Sequence, residues 1–124
     1  MAPGPDHDDA ERFIPLRPVE FHVLLSLCRE DRHGYGIMLD TEERTDGAMK
    51  LQIGTLYRAL QRMSKAGLIA GTDRRPSDDA DDDERRNYYT ATPLGRAVAE
   101  AEAARLDGLL RAARAGGLIG LGGK

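Results

Sequence analysis

Tryptophan is absent from this sequence, and cysteine occurs once, as Cys28. A single cysteine closes no intrachain disulfide, which fits a reducing, intracellular setting. Cys28 lies in an apolar run, so it reads as a small core residue, with a redox sensor as the sharper alternative. That run, Val23 to Cys28, is the longest apolar-looking one and is far too short to span a membrane. The N-terminus is acidic and lacks the basic and apolar regions of a secretory signal. A soluble, cytoplasmic protein with no membrane partner is expected. Histidine is scarce too: His7, His22 and His33 are scattered, without metal-ligand spacing. No nucleophile elbow, phosphate loop or zinc knuckle occurs. Catalytic residues, metal ligands and cofactors are therefore not expected, and an enzyme is the least favoured class.

What is there fits one domain. The 124 residues can bury a modest core, but not a large enzyme cleft with lids. Eighteen Lys and Arg stand against 21 Asp and Glu, a net charge of −3, which does not advertise nucleic-acid binding. The distribution matters more than the sum. Acids crowd at the N-terminus (Asp6, Asp8, Asp9, Glu11) and again from Asp78 to Glu84, while the chain between Lys50 and Arg75 is basic.

The stretch Lys50 to Ala66 carries Lys50, Arg58, Arg62 and Lys65 and no acid. Ile53, Leu56, Leu60 and Met63 recur at helical spacing and make an oily face. Thr55, Arg58, Arg62 and Lys65 fall on the opposite one. A helix anchored by one face and cationic on the other suits a phosphate backbone. An ordinary amphipathic surface helix is the plain alternative.

Around this stretch the chain reads in order. Residues 1–16 are expected to be a flexible acidic arm, with Phe13, Ile14 and Leu16 able to dock on the body. A first helix starts at Pro18, which suits the first helical position, and runs to about Glu30. It buries Val23, Leu24, Leu27 and Cys28, with Leu25 covered. A second helix spans Tyr35 to Arg44, with Ile37, Met38 and Thr41 facing the core, and Asp46-Gly47 is a turn that ends it. The third runs from about Gln52 to Ala66, closed by Gly67 in a left-handed cap. Leu68 and Ile69 enter a strand that ends near Asp73. A second strand, Asn87 to Thr92, brings Tyr88 and Tyr89, one toward the core and one toward the surface. The strands make a hairpin around the polar loop Arg74 to Arg86. Thr92-Pro93 caps a last helix that reaches about Ala115. Its wide apolar surface (Leu94, Val98, Ala101, Leu106, Leu109, Leu110 and Ala113) reads as a subunit interface. A monomer with a long packed helix is the alternative. Residues 116–124 are expected to be a flexible tail.

Three helices followed by a two-stranded ribbon make a mainly α fold with a small β-hairpin. This is a winged helix-turn-helix over residues 17–92, followed by a dimerisation helix over 93–115. Three local patterns resemble the PadR family of bacterial transcriptional regulators. His33-Gly34-Tyr35 is similar to the family's turn into its second helix. Gly54-Thr55-Leu56-Tyr57-Arg58-Ala59-Leu60 with Gly67-Leu68-Ile69 is similar to its recognition helix. Arg86-Asn87-Tyr88-Tyr89-Thr90-Ala91-Thr92 with Gly95 is similar to its second wing strand and last-helix entry. The resemblance covers about residues 18 to 115. The single C-terminal helix resembles that of the compact subgroup, which implies that it mediates dimerisation. Two departures stand out: the wing tip is acidic where the family's is usually short and basic, and no tryptophan is present for the platform of the family's multidrug sensors.

The expected DNA-binding residues follow. Gln52 and Thr55 sit near the N-terminus of the third helix, where side chains reach base edges. Arg58 and Arg62 lie one turn apart, and an arginine bidentate to guanine gives about 1–3 kcal/mol of discrimination. Sequence leaves open which of these reads bases and which holds phosphate. The resemblance implies a phosphate contact for Tyr57, against a half-buried packing role. Lys65 is a phosphate contact or a solubilising residue. Arg74, Arg75, Arg85 and Arg86, at the base of the wing loop, could grip phosphates beside the groove. The tip acids Asp78 to Glu84 would be repelled there; they read as a solvated loop and lack the pattern of an EF-hand. The expectation is a homodimeric regulator, a repressor, whose two reading helices enter successive major grooves of a palindromic duplex about 34 Å apart. A small-molecule effector that shifts the dimer would tune affinity, but the sequence identifies no site for one. The rival is a winged-helix protein–protein interaction module that does not bind DNA, favoured by the net charge and the acidic wing.

Overall fold

The computed structural model describes residues 7–73 and 87–120, with side chains from Asp9 onward. Five helices and three short strands appear in these segments: α1 (His7–Glu11), α2 (Pro18–Arg29), β1 (Arg32–His33), α3 (Gly34–Arg44), α4 (Ile53–Lys65), β2 (Ile69–Thr72), β3 (Tyr88–Ala91) and α5 (Pro93–Ala115). The strands form one antiparallel sheet in the order β1-β3-β2. Ile69 pairs with Ala91 and Thr72 with Tyr88, so β2 and β3 are the expected hairpin. On the other side of β3, Arg32 pairs with Tyr89 and His33 with Tyr88. This third strand was not foreseen. Two residues carry no periodic signal, and β1 exists only because β3 lies beside it.

Local chemistry explains the helix boundaries. Pro18 opens α2. The His33 ring opens α3, its Nδ1 accepting from the Gly36 N–H at 3.0 Å. At the end of α4, Gly67 has φ 82°. Its N–H reaches Ser64 O at 3.1 Å, while Leu68 N–H reaches Met63 O at 2.9 Å. That double closure is the Schellman cap, which needs the left-handed residue that glycine supplies. Thr92 then does two jobs. Its Oγ1 accepts from Gly95 N–H at 3.0 Å to cap α5, and donates to Gly67 O at 2.6 Å. Gly95 lies so close to the chain entering β2 that a Cβ there would stand 1.9 Å from Leu68 O.

The core is one cluster. Leu24, Ile37, Leu56, Leu60, Met63, Ile69, Val23 and Val98 are its largest fully buried apolar side chains, from four helices and one strand. Within α2, Val23, Leu24 and Leu27 are buried as expected, while Cys28 is only half-buried and Ser26 is fully buried. Ser26 is satisfied by donating from Oγ to Asp40 Oδ2 at 2.6 Å. Arg44 also pairs with Asp40, and Arg32 approaches it at 3.5 Å. Burial opposes ionisation of Asp40, but the Ser26 hydroxyl, Arg44 and Arg32 outweigh it and hold the carboxyl below its usual range. Arg44 further contacts the His22 ring at 3.2 Å. Burial, then Arg44, lowers the His22 pKa, so the ring is neutral near pH 7. This network fixes α2 against α3, and so fixes the platform on which α4 rests.

Three expectations need correction. Residues 7–16 are not a loose arm: α1 packs on α5 with Ala10 fully buried, while Phe13, Ile14 and Leu16 lie against the core as expected. The Leu16 N–H donates to Glu102 Oε2 at 3.1 Å, a carboxylate also held by Arg105 at 2.7 and 3.0 Å. Ile53 is not on the oily face of α4; it is 64% exposed, and Ala59 takes its place in the core. Val98 and Ala101 are buried within the protomer and present nothing to a partner. The wing loop 74–86 lies outside the described residues, and with it Arg74, Arg75, Arg85, Arg86 and the acidic tip.

Candidate nucleic-acid interface

Helix α4 buries Leu56, Ala59, Leu60 and Met63 on one side. Successive residues advance about 100° around a helix. The opposite arc is therefore centred on Gly54 and Lys65, flanked by Gln61 and Arg58, with Tyr57 toward one rim, all of them exposed. Arg62 lies at the rim of this arc, where its Nε meets Glu20 Oε2 of α2 at 3.4 Å. Thr55 falls nearer the buried side and is half-covered. Gln52 is the exposed residue at which the helix opens, without a side-chain cap.

The outward arc does not stand alone. An open groove of about 700 Å³ runs between it and the start of β3, lined by Tyr57, Arg58, Gln61, Lys65, Asn87 and Tyr89 among others. Arg58, Arg62 and Lys65 supply positive charge along it, and among the described residues no acid lines it. Asn87 and Gln61 offer neutral donors and acceptors. Burial, then the neighbouring Tyr57, raises the Tyr89 pKa, so this phenol keeps its proton at neutral pH.

Tyr57 has the packing role that was one of the two readings of it. Its ring fills the space beside Gly34, where an added Cβ would sit 2.6 Å from the phenol oxygen. Even so, 43% of the residue remains exposed. The phenol end therefore rests on the first residue of α3 while part of the ring stays in solvent. That position is closed to any residue larger than glycine unless Tyr57 moves.

The structure brings Tyr57, Arg58, Arg62 and Lys65 together on one groove, with Gln52 and Thr55 on the N-terminal side of it. Sequence reasoning missed Gln61, Asn87 and Tyr89 as groove residues. Gln61 was legible from helical phase, four residues from Tyr57 and from Lys65. Asn87 and Tyr89 were not, because only the pairing of β3 carries them there. Among the described residues no cluster of His, Cys, Asp and Glu could hold a metal ion. Nor is any described helix long and apolar enough to cross a membrane.

The sequence profile of the transcriptional regulator PadR-like family matches residues 23–101. The chain belongs to the PadR-like family. Its matched region runs from inside α2 through α3, α4, β2 and β3 into α5. An uncharacterised protein of Lysinibacillus sphaericus is 32% identical over 75 residues, spanning 60% of this chain and 65% of that relative. Among solved structures, a transcriptional regulator from Clostridium thermocellum superposes with a TM-score of 0.64 at 23% identity, covering 89% of this chain and 95% of its own. A PadR family transcription regulator from Clostridium difficile gives 0.61 at 25% identity, covering 77% and 94%. A Streptococcus transcriptional regulator gives 0.62 at 27%, covering 78% and 89%. The winged-helix architecture of PadR-type regulators is therefore the fold of this chain.

Proposed function

We propose that this chain is a sequence-specific regulator that binds double-stranded DNA as a homodimer and represses transcription from a palindromic operator. One observation carries the reading: the outward arc of α4, with Arg58, Gln61 and Lys65, borders a groove with no acid among its described lining residues. Family membership supports it. In this reading α4 lies in a major groove. Tyr57, Lys65 and Asn87 hold the flanking phosphates, and Gln52, Arg58 and Gln61 reach base edges. Arg62 contributes once it leaves Glu20. Thr55, half-covered, acts from the helix flank, and the wing arginines Arg74, Arg75, Arg85 and Arg86 take the phosphates beside the groove. The second protomer joins through the exposed end of α5, which sets the distance between the two reading helices. Such a protein works in the cytoplasm on the chromosome, without a cofactor.

The test is a fluorescence-anisotropy titration of the full chain against a duplex from the promoter of its own gene, repeated across a salt series. Binding is expected to weaken with a log–log slope of about −0.9 per phosphate neutralised. Failure to bind this or any other duplex would leave the protein-interaction module as the better reading.

A further inference from the structure

Ile53 is an anomaly that the groove does not absorb. It is the first residue of α4 and is 64% exposed, more than Tyr57 or Leu110. The helix does not need it for its core, which Leu56, Ala59, Leu60 and Met63 already fill. By helical phase its side chain lies about 40° from Tyr57, on the flank between the buried face and the outward arc, and as the first residue of the helix it is left uncovered. The next residue is Gly54, and the atoms nearest a Cβ there would be the Arg58 guanidinium nitrogens, at 3.5 and 4.0 Å. The first turn of α4 therefore presents a branched apolar side chain beside a bare stretch of backbone roofed by a cation. The bare stretch lets the turn approach a surface closely, and the cation makes that surface anionic by charge complementarity.

We infer that Ile53 reads the 5-methyl group of a thymine in the major groove. This rests on the proposed placement of α4 in that groove. Of the four bases only thymine carries a methyl group there, and the other groove-edge atoms are hydrogen-bond donors and acceptors. An isoleucine side chain can satisfy none of those. Set against cytosine, adenine or guanine, it would strip water from a polar edge and return no bond. Against thymine it exchanges water for methyl-to-methyl contact. The same residue thus favours one base and penalises three, which makes it a specificity determinant and not a source of general affinity.

The experiment starts from duplexes enriched from a random pool by the full-length protein, so that no operator need be known beforehand. Each thymine of the consensus is then replaced by deoxyuridine, which removes the methyl group and nothing else. Wild type should lose about fourfold in affinity at one thymine per half-site, the scale of one buried methyl group. Ile53→Ala, a truncation at an exposed site, should bind the thymine and deoxyuridine duplexes equally. Ile53→Val, which keeps a branched apolar side chain, should retain most of the preference. If wild type shows no thymine preference, or if Ile53→Ala keeps it in full, the assignment is overturned while DNA binding stands. If the protein enriches no duplex at all, this assignment and the placement of α4 fall together.

Discussion

Two helices of this protein carry surface that their own protomer leaves uncovered, and the two surfaces are chemically opposite. On α4 the outward arc is polar and cationic, with Arg58, Gln61 and Lys65 beside Asn87 of the wing. On α5 the uncovered part is the C-terminal half, where Leu109 is 56% and Leu110 44% exposed. The N-terminal half of α5 is core, with Gly95, Val98, Ala99, Ala101 and Glu102 buried. The changeover falls between Glu102 and Leu106. A polar arc can stand in water indefinitely and gains chiefly from a charged partner. Leucines in water gain from another apolar surface. The first surface therefore suits DNA and the second suits a second copy of the chain, and each can be broken without touching the other.

The largest effect should come from the α5 end. Leu109→Glu with Leu110→Glu places like charges at the proposed interface. It should turn the proposed dimer into a monomer in sedimentation and weaken operator binding about 100-fold or more, since avidity between two half-sites is lost. The thermal transition of the monomer should persist. Gly95→Ala tests the buried half of the same helix. Its Cβ cannot fit 1.9 Å from Leu68 O, so the α5–β2 crossing must open. A loss of about 3 kcal/mol in denaturant unfolding is expected, the upper range for overpacking. If this change instead altered assembly and left stability intact, the division of α5 into a core half and an interface half would be wrong.

That division was only partly legible beforehand. Boundaries set by local hydrogen bonding could be read directly: Pro18 opening α2, Gly67 closing α4, Thr92 capping α5. The identities of the helix pair and the hairpin followed from them. What escaped depended on partners distant in sequence. β1 needs β3, α1 needs α5, and Glu102 is tolerated in the core only because Arg105 and the Leu16 N–H meet it. Val98 and Ala101 looked like interface because spacing along α5 cannot say where the protomer stops covering it. Ile53 shares the oily spacing of α4 and sits about 70° from the centre of the buried arc by helical phase, yet as the first residue of the helix it lies beyond the core and stays uncovered. Alanine at position 59 carried too weak a hydrophobic signal to correct that.

On the α4 side, Arg58→Ala should cost about 1–3 kcal/mol of specific binding if the guanidinium reads a guanine. Arg62→Ala should cost less, because Arg62 must first leave Glu20. Equal losses would show that the rim and the centre of the arc are not distinct. At the changeover on α5, Glu102 gives a pH test. Arg105 lowers its pKa most, burial opposes this, and the Leu16 N–H adds to the lowering. A depressed folded pKa means the carboxylate's contribution is complete above the unfolded value of about 4.3 and is lost as pH falls from there through the folded value. Glu102→Gln should therefore be less stable than wild type at pH 7 in thermal melts, with the gap closing below about pH 4.

The smallest effect should come from Glu20, which touches neither surface in the bound state. It holds Arg62 at 3.4 Å across the α2–α4 boundary, and the arginine side chain is 44% exposed. An exposed ion pair of this kind is worth about 0–1 kcal/mol. Before Arg62 can meet a phosphate it must give that up, and the freed Glu20 carboxylate then stands near the DNA as a like charge. Glu20→Gln removes both penalties. It should raise operator affinity severalfold at low salt while changing stability by less than about 1 kcal/mol. The gain should shrink as salt screens the carboxylate, and it should vanish in the Arg62→Ala background if the two residues act as a pair. An affinity gain that survives Arg62→Ala would mean that Glu20 acts by general repulsion, leaving Arg62 outside the contact surface of α4.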